Sequence, residues 1–479
     1  MMQMSRTRLT FALVTLTSAI VIANVNVKGQ HRPVALRNDI MIADYMAIGP
    51  SAVRLLVDPV SKDFYYTTFE GEVMRVCHDL AGNRYLSQEY TAADHGITRL
   101  QGAVFLDSTL FLVGNITVNR GKGTKGIMMK GTLNKSGKRD WSLSFITEDV
   151  GSTKTIYDHG FNGIVISPDK RHIFINSGAR TDHGEVQDND GEYPGSRDEA
   201  LTACVLRIPV NAEALYLPND KDFLIRNGYL FAQGIRNAYD LAFSPEGELF
   251  AVSNSGDYDH PEDMFWLREG RHYGYPWVMG LLDNPQQYKN WQPDPKTDPF
   301  INPFCHAWRV RYFRNDPTFP KRPKEKFTSP VLNLGPDANE YRDRKTGKVM
   351  DADTTGVLVG TFTPHRSPLG LFFDTEGVLI DSMNKDGFVL SWTYGKTSGL
   401  MRQFTSQGAD LMHLDLRYDE KSDNYFVRST RIVEGFDGPT DAVLIGNDVY
   451  VIENSNEDAH IWKITLPAKK KTDQSANQK

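Results

Sequence analysis

Between residues 53 and 466 the chain alternates short apolar runs with clusters of Gly, Pro, Asn and Asp, and the i, i+3, i+4 spacing of an amphipathic helix is almost absent. The runs recur as a unit: an apolar strand, a turn of the type Asp/Ser-Pro-x-Gly or its relic, a second apolar strand, then a third. Six units can be read. The first is VRLLVDPVSKDFYYTTFEGEVMRVC at Val53, and the second is LQGAVFLDSTLFLVG at Leu100, closing with GIMMKGTL. NGIVISPDKRHIFINSG at Asn162 closes with ACVLRIPV, and YDLAFSPEGELFAVSNSG at Tyr239 closes with MFWLREG. The fifth is LGLFFDTEGVLIDSM with GFVLSWTYG, the sixth TDAVLIGNDVYVIENSN with AHIWKITLP.

A sheet of three or four strands cannot bury both of its faces alone, so repeated units predict radial stacking into a closed ring with only short edges. The expected fold is all-β, a six-bladed β-propeller spanning residues 30–467 as one domain. The widest gap between units holds Trp277, Trp291 and Trp308 and predicts a long insertion between the fourth and fifth blades, over one face. Insertions in repeat folds gather on the side that binds.

Ahead of the repeats, Arg6 and Arg8 precede an apolar run over 9–23. That run is shorter than the roughly 20 residues a spanning helix needs, and residues 1–29 read as a signal peptide. Val21-Ile22-Ala23 and Val27-Lys28-Gly29 both suit its cleavage. The expectation is an exported protein, periplasmic or extracellular, with no membrane span after cleavage. Residues 468–479 are polar and Lys-rich and read as a disordered basic tail.

Composition narrows the function classes. The chain has 479 residues, 54 Lys+Arg against 60 Asp+Glu and a net charge of -6, so nothing drives nucleic-acid binding by counterion release. Three cysteines make no disulfide framework and none forms a CxxC; Cys77 and Cys204 fall on third strands, where a buried thiol is expected. GKGTKG at Gly121 lacks Walker spacing, and the sequence contains no GxSxG or HExxH.

Four sets of residues could carry chemistry. His159, after Asp158, stands at the start of the third unit's first strand, where a side chain titrating near neutrality suits a general base, although loop histidines also serve as plain hydrogen-bonding residues. Arg236 and Asn237 hold the corresponding place in the fourth unit; a guanidinium fork and an amide suit a carboxylate-rich ligand, and an Arg bridging two blades is the alternative. The loop from Asn254 to Asp263 gathers oxygen donors on a glycine turn, as Ca²⁺ requires, with Gly256, Asp257, Asp259, Glu262 and Asp263 as ligand candidates. Its spacing departs from the EF-hand pattern. The Asp-rich stretch from Arg180 carries the same two readings, solvated loop or cation site. His365, in FTPHRSPLGLFFD, marks the mouth of the fifth unit.

In combination these segments resemble the glucose/sorbosone dehydrogenase family, soluble pyrroloquinoline quinone (PQQ) sugar dehydrogenases built on a six-bladed propeller. His159, Pro168, Asp169 and Gly178 match one block. Gly234, Arg236, Asn237, Leu241-Ala242-Phe243, Pro245, Gly247 and Gly270-Arg271-His272-Tyr273-Gly274-Tyr275-Pro276 match a second, and His365-Arg366-Ser367-Pro368-Leu369-Gly370-Leu371 is similar to the fifth-blade entrance. The resemblance implies that His159 takes a hydroxyl proton while hydride passes to PQQ. It implies that Arg236 and Asn237 hold the cofactor and that the acidic loop binds a Ca²⁺ polarising the quinone. A sugar is the implied substrate, with a soluble or periplasmic electron acceptor. The chain departs from the family where a cofactor-contacting glutamine is replaced by Tyr239 and where the calcium loop is rebuilt. Arg366, Lys385 and Arg402 are the candidates for further cofactor-binding cations. Two other readings are a propeller that binds carbohydrate or protein without catalysis, and a Ca²⁺-dependent, lactonase-like hydrolase.

Overall fold

The computed structural model describes residues 32–151, 156–393, 403–405, 408–456 and 458–470. The expected signal peptide over 1–29 and most of the expected tail, 471–479, lie outside them. Six sheets follow one another along the chain, antiparallel apart from short parallel strands added at the edges of the second, third and fifth, and each begins with the strand nearest the axis: Ala52–Val57, Arg99–Leu106, Phe161–Ile166, Ala238–Phe243, Pro368–Phe373 and Pro439–Ile445. Each of these inner strands packs against the next, and the sixth packs against the first, closing the ring.

Six apolar clusters hold the blades together, one between each neighbouring pair. Leu56 and Tyr65 of the first blade meet Leu100 and Leu112 of the second. Phe145 and Phe161 join the second and third, Phe174 and Leu249 the third and fourth, Phe250 and Phe373 the fourth and fifth. Phe388 and Trp462 join the fifth and sixth, and Ile461 with Tyr66 closes the sixth on the first. The buried inner strands therefore read as nearly continuous apolar runs, and burial of their side chains, at about 25 cal/mol per Å² removed from water, drives closure. The N-terminal segment latches the ring: Met41–Ala47 pairs antiparallel with His460–Thr465 as the outer strand of the sixth blade, and Val34–Ala35 caps the edge of the fifth.

One correction concerns the fifth unit. VLIDSM is not its second strand; Leu379 makes only an isolated bridge to Ala468, and the second strand is Gly387–Ser391. The third and fourth are Asp410–Asp419 and Asn424–Glu434. Asp374, fully buried, accepts from the backbone of Val378, Leu379 and Lys385 and folds that stretch into a turn instead.

Every inner strand carries a β-bulge near its start, the register slipping at Arg54, Gly102, Gly163, Asp240, Gly370 and Asp441 or the residue beside each. Bulges increase local twist and re-aim side chains, here toward the axis. At Gly102 an added Cβ would lie 2.0 Å from the Asn162 carbonyl, so the close approach of neighbouring inner strands requires glycine there. The other three blades place charges. Arg54 Nη1 lies 3.4 Å from Asp240 Oδ1, its guanidinium sits 4.3 Å over the Tyr239 ring, and Asp441 accepts from Leu55 N at 2.9 Å.

Candidate functional site

The long insertion between the fourth and fifth blades packs Phe300, Ile301 and Phe313 into one apolar cluster with Tyr258 of the acidic loop and Tyr157 before the third blade. It docks on the long excursion of the third blade that precedes Cys204. Arg197 pairs with Asp316 at 2.5 Å, Arg314 Nη2 donates to the Val186 carbonyl at 2.5 Å, and Asn284 Nδ2 donates to the His183 carbonyl at 2.8 Å. These two segments roof the third and fourth blades on the side where the inner strands start.

His159 stands at that side of the third blade. Gly178 makes room for it, since a Cβ there would lie 2.5 Å from His159 Cβ and 2.8 Å from Asn237 Oδ1. The ring's Nδ1 lies 3.0 Å from the Ala179 carbonyl. A carbonyl can only accept, so Nδ1 carries the proton and Nε2 is the basic nitrogen. Nε2 has no protein partner among the described residues, and the residue keeps part of its surface open. Burial, then the nearby Arg236 and Arg180 guanidiniums, push its pKa down to about 3. The imidazole is therefore neutral across the physiological range.

Arg236 and Asn237 lie beside it, as expected, but are engaged. Arg236 Nε donates to the Asp182 carbonyl at 2.7 Å, Nη2 approaches Asp182 Oδ1 at 3.2 Å, and Nη1 reaches Asn254 Oδ1 at 3.1 Å. Asn237 Oδ1 accepts from Asn162 at 2.9 Å and its Nδ2 donates to Asn254 at 3.2 Å. Tyr239 is half-buried beneath Arg54, and its backbone carbonyl accepts from Arg54 Nη2 at 2.5 Å. Two participants come from the Asp-rich stretch that the sequence leaves as either a solvated loop or a cation site. Arg180, 3.0 Å from Asp158, is a second guanidinium close to His159. Asp182 is fully buried, accepting from Arg236, from the His183 ring at 2.6 Å and from Asp257 N at 3.1 Å.

The acidic loop is dispersed rather than gathered. Asp257 Oδ2 accepts from Tyr157 at 2.5 Å and from Ala307 N at 2.8 Å, which ties it to the roof. Gly256 lies against Asp182. Asp259, fully buried, is met by Arg342 at 2.6 Å, Gln403 at 2.7 Å and His365 at 2.8 Å. Glu262 accepts from Ser367 N at 2.5 Å, and burial raises it to about 7. Asp263 points elsewhere, because it opens a strand in which side chains alternate; it accepts from Gly280 N at 2.8 Å and burial raises it to about 8. No three His, Cys, Asp or Glu side chains among the described residues converge as metal ligands.

The later cations separate as well. Arg366 is fully buried and donates to both oxygens of Asp410 at 2.6 Å, inside the fifth blade. Lys385 belongs to the turn at the other end of that blade's first two strands, its Nζ 3.9 Å from Glu246. Arg402 lies outside the described residues. Cys204 is buried in a third strand, its thiol pushed up to about 12 by burial, and so is not a nucleophile.

This ring of blades has counterparts of the same fold among solved structures. The soluble aldose sugar dehydrogenase of Escherichia coli superposes with a TM-score of 0.54 at 13% identity, over 89% of this chain and 99% of that one. The PQQ domain of a pyranose dehydrogenase from Coprinopsis cinerea gives 0.53 at 12% identity, covering 91% and 97%. A carbohydrate-active enzyme of Trichoderma reesei gives 0.52 at 13%, covering 91% and 98%. The fold is that of the sugar dehydrogenase propellers. At these identities the likeness is one of fold. No protein-family model matches the chain, and no curated protein does.

Proposed function

We propose that the protein is an exported oxidoreductase that dehydrogenates a sugar or related alcohol beside His159, with PQQ as hydride acceptor. The observation that carries this reading is the state of His159: neutral, fixed by the Ala179 carbonyl, with Nε2 open. A hydroxyl donating to Nε2 would lose its proton there as its carbon gives up hydride, so the ring is a general base already in the required form. Bound PQQ would supply an electrophilic quinone carbon for that hydride. Arg236, Asn237 and Asn254 stand nearest to hold it, and Arg180 adds positive potential from behind.

Arg236, Asn237 and Asn254 are donors of the kind that a quinone and its carboxylates require, and Arg236 would have to share its bonds to Asp182 with the cofactor. The calcium half does not fit its ion: Asp259 is already neutralised by Arg342 and His365, Asp257 is tied to the roof, and Asp263 faces away. No step is therefore assigned to Ca²⁺. A cofactor-free binding propeller is the second reading, favoured by the prior engagement of Arg236 and by the withdrawal of Arg366 to Asp410. The Ca²⁺-dependent hydrolase loses its support with the dispersal of the donors.

The test is reconstitution of the protein without residues 1–29 with PQQ, with and without Ca²⁺, followed by dye-linked oxidation of a panel of aldoses. Stoichiometric PQQ binding with turnover that is lost in His159→Gln supports the dehydrogenase. Failure to bind PQQ under either condition overturns it in favour of the binding propeller.

A further inference from the structure

On the flank of the third blade lies a cavity of about 350 Å³, whose lining residue Asp198 accepts from Arg180 N and from Thr181. Its walls are mainly apolar: Ala200, Ala203, Leu230, Pro276, Trp277 and Pro320. Trp277 is locked in place, its Nε1 donating to the Pro320 carbonyl at 2.8 Å and its ring stacked on Phe327 at 5.8 Å. A cavity of this size, apolar with a few placed polar groups, is the general form of a small-molecule site.

Most of the polar groups here are already satisfied. Asp198 accepts from Arg180 N, Thr181, Thr202 and Tyr275 at 2.6 to 3.1 Å. Arg197 is paired with Asp316, and Glu199 accepts from Asn219. Three donors are not. His272 Nδ1 accepts from Gly274 N at 3.0 Å, so its proton sits on Nε2, which has no protein partner among the described residues. The Gln233 amide and the Lys221 ammonium likewise have none there. Lys221 is exposed and makes no ion pair among the described residues, whereas Arg197 is paired, so Lys221 is the lining cation open to a ligand; the carboxylates of Asp198 and Glu199 line the same cavity and are held by their own donors.

We infer that this cavity binds a small aromatic monocarboxylate, its ring against Trp277 and the prolines and its carboxylate on Lys221, with His272 and Gln233 as hydrogen-bond donors. A free sugar does not suit the site, because its hydroxyls would be stripped of water against apolar walls with few partners. The site is independent of the oxidation proposed at His159.

Calorimetric titration of the whole protein with indole-3-acetate and with its neutral amide tests the assignment. The carboxylate is expected to bind about threefold more tightly than the amide, as an ion pair with an exposed ammonium dictates. Lys221→Met should abolish that preference, and Ala203→Phe, which fills the cavity, should abolish binding of both. Lys221→Met lies at an exposed helix start, so it decides the matter should Ala203→Phe fail to fold. The inference is overturned if the carboxylate does not bind at concentrations up to about 10 mM, if the two ligands bind equally, or if Lys221→Met leaves the preference intact.

Discussion

His159 donates from Nδ1 to the carbonyl oxygen of Ala179 at 3.0 Å, and this one bond decides which nitrogen can act as a base. Because burial and two guanidiniums hold the ring neutral, its titration contributes no limb near pH 6.5 to the rate profile. His159→Gln is expected to lower kcat by about 10²- to 10⁴-fold with PQQ affinity unchanged. The same group links to stability. Below 6.5 the unfolded chain takes up a proton that the native ring refuses until about 3, so its contribution is lost as pH falls through that window. Urea titrations from neutral to acid pH should show a shallower decline in the variant than in the wild type.

Asp263 behaves with the opposite sign. Its folded value, raised by burial to about 8, lies above the ordinary 3.8, so its stabilisation is complete below 3.8 and fades as pH rises through about 8. Asparagine imitates the protonated acid and keeps an oxygen for Gly280 N. Asp263→Asn is therefore expected to flatten the stability profile over this range and to exceed the wild type at its alkaline end. Equal denaturation midpoints for the two proteins across the range would contradict the assignment.

Arg342 does for Asp259 what a metal was expected to do. Truncation in Arg342→Met leaves a fully buried carboxylate with His365 and Gln403 alone, and unfolding should become easier by about 3 to 5 kcal/mol. Calcium and EDTA should leave the wild-type melting temperature within about 1 °C of each other, since ligand-linked stabilisation requires a donor set that gathers in the native state. A rise of several degrees with calcium would show that the loop regroups around the ion.

The repeats were readable because each inner strand is buried on both faces and so announces itself as an apolar run, and the β-bulged starts fall where His159 and Asn237 were placed. The spacing of Gly234, Arg236 and Asn237 also located the entrance of the fourth blade. Residues that meet across blades were not readable. The stretch holding Arg180 and Asp182 stays split between a solvated loop and a cation site, because nothing local distinguishes a carboxylate buried against Arg236 from a solvated one. Arg366 was misplaced for the same reason: its partner Asp410 lies 44 positions away, beyond any local pattern. The acidic loop misled because strand alternation, which starts at Asp263, separates neighbours that look like one cluster in the sequence.

The axis itself offers the last test. Arg54 donates to the carbonyls of Gln101 and Tyr239 and faces Asp240, while Asp441, raised to about 7 by burial and by Asp240, is pulled back by the same guanidinium. Residues from the first, second, fourth and sixth blades thus meet through one side chain, which makes Arg54 the point where the ring's closure is electrically balanced. Arg54→Met should cost about 3 to 5 kcal/mol, because it strands buried carboxylates rather than merely deleting a contact. Adding Asp240→Asn removes one of those charges, so the double variant should regain part of the loss, a coupling readable in a double-mutant cycle. If the two losses simply add, the guanidinium contributes by packing over Tyr239, and the carboxylates are stabilised by their backbone donors, Leu371 N and Leu55 N.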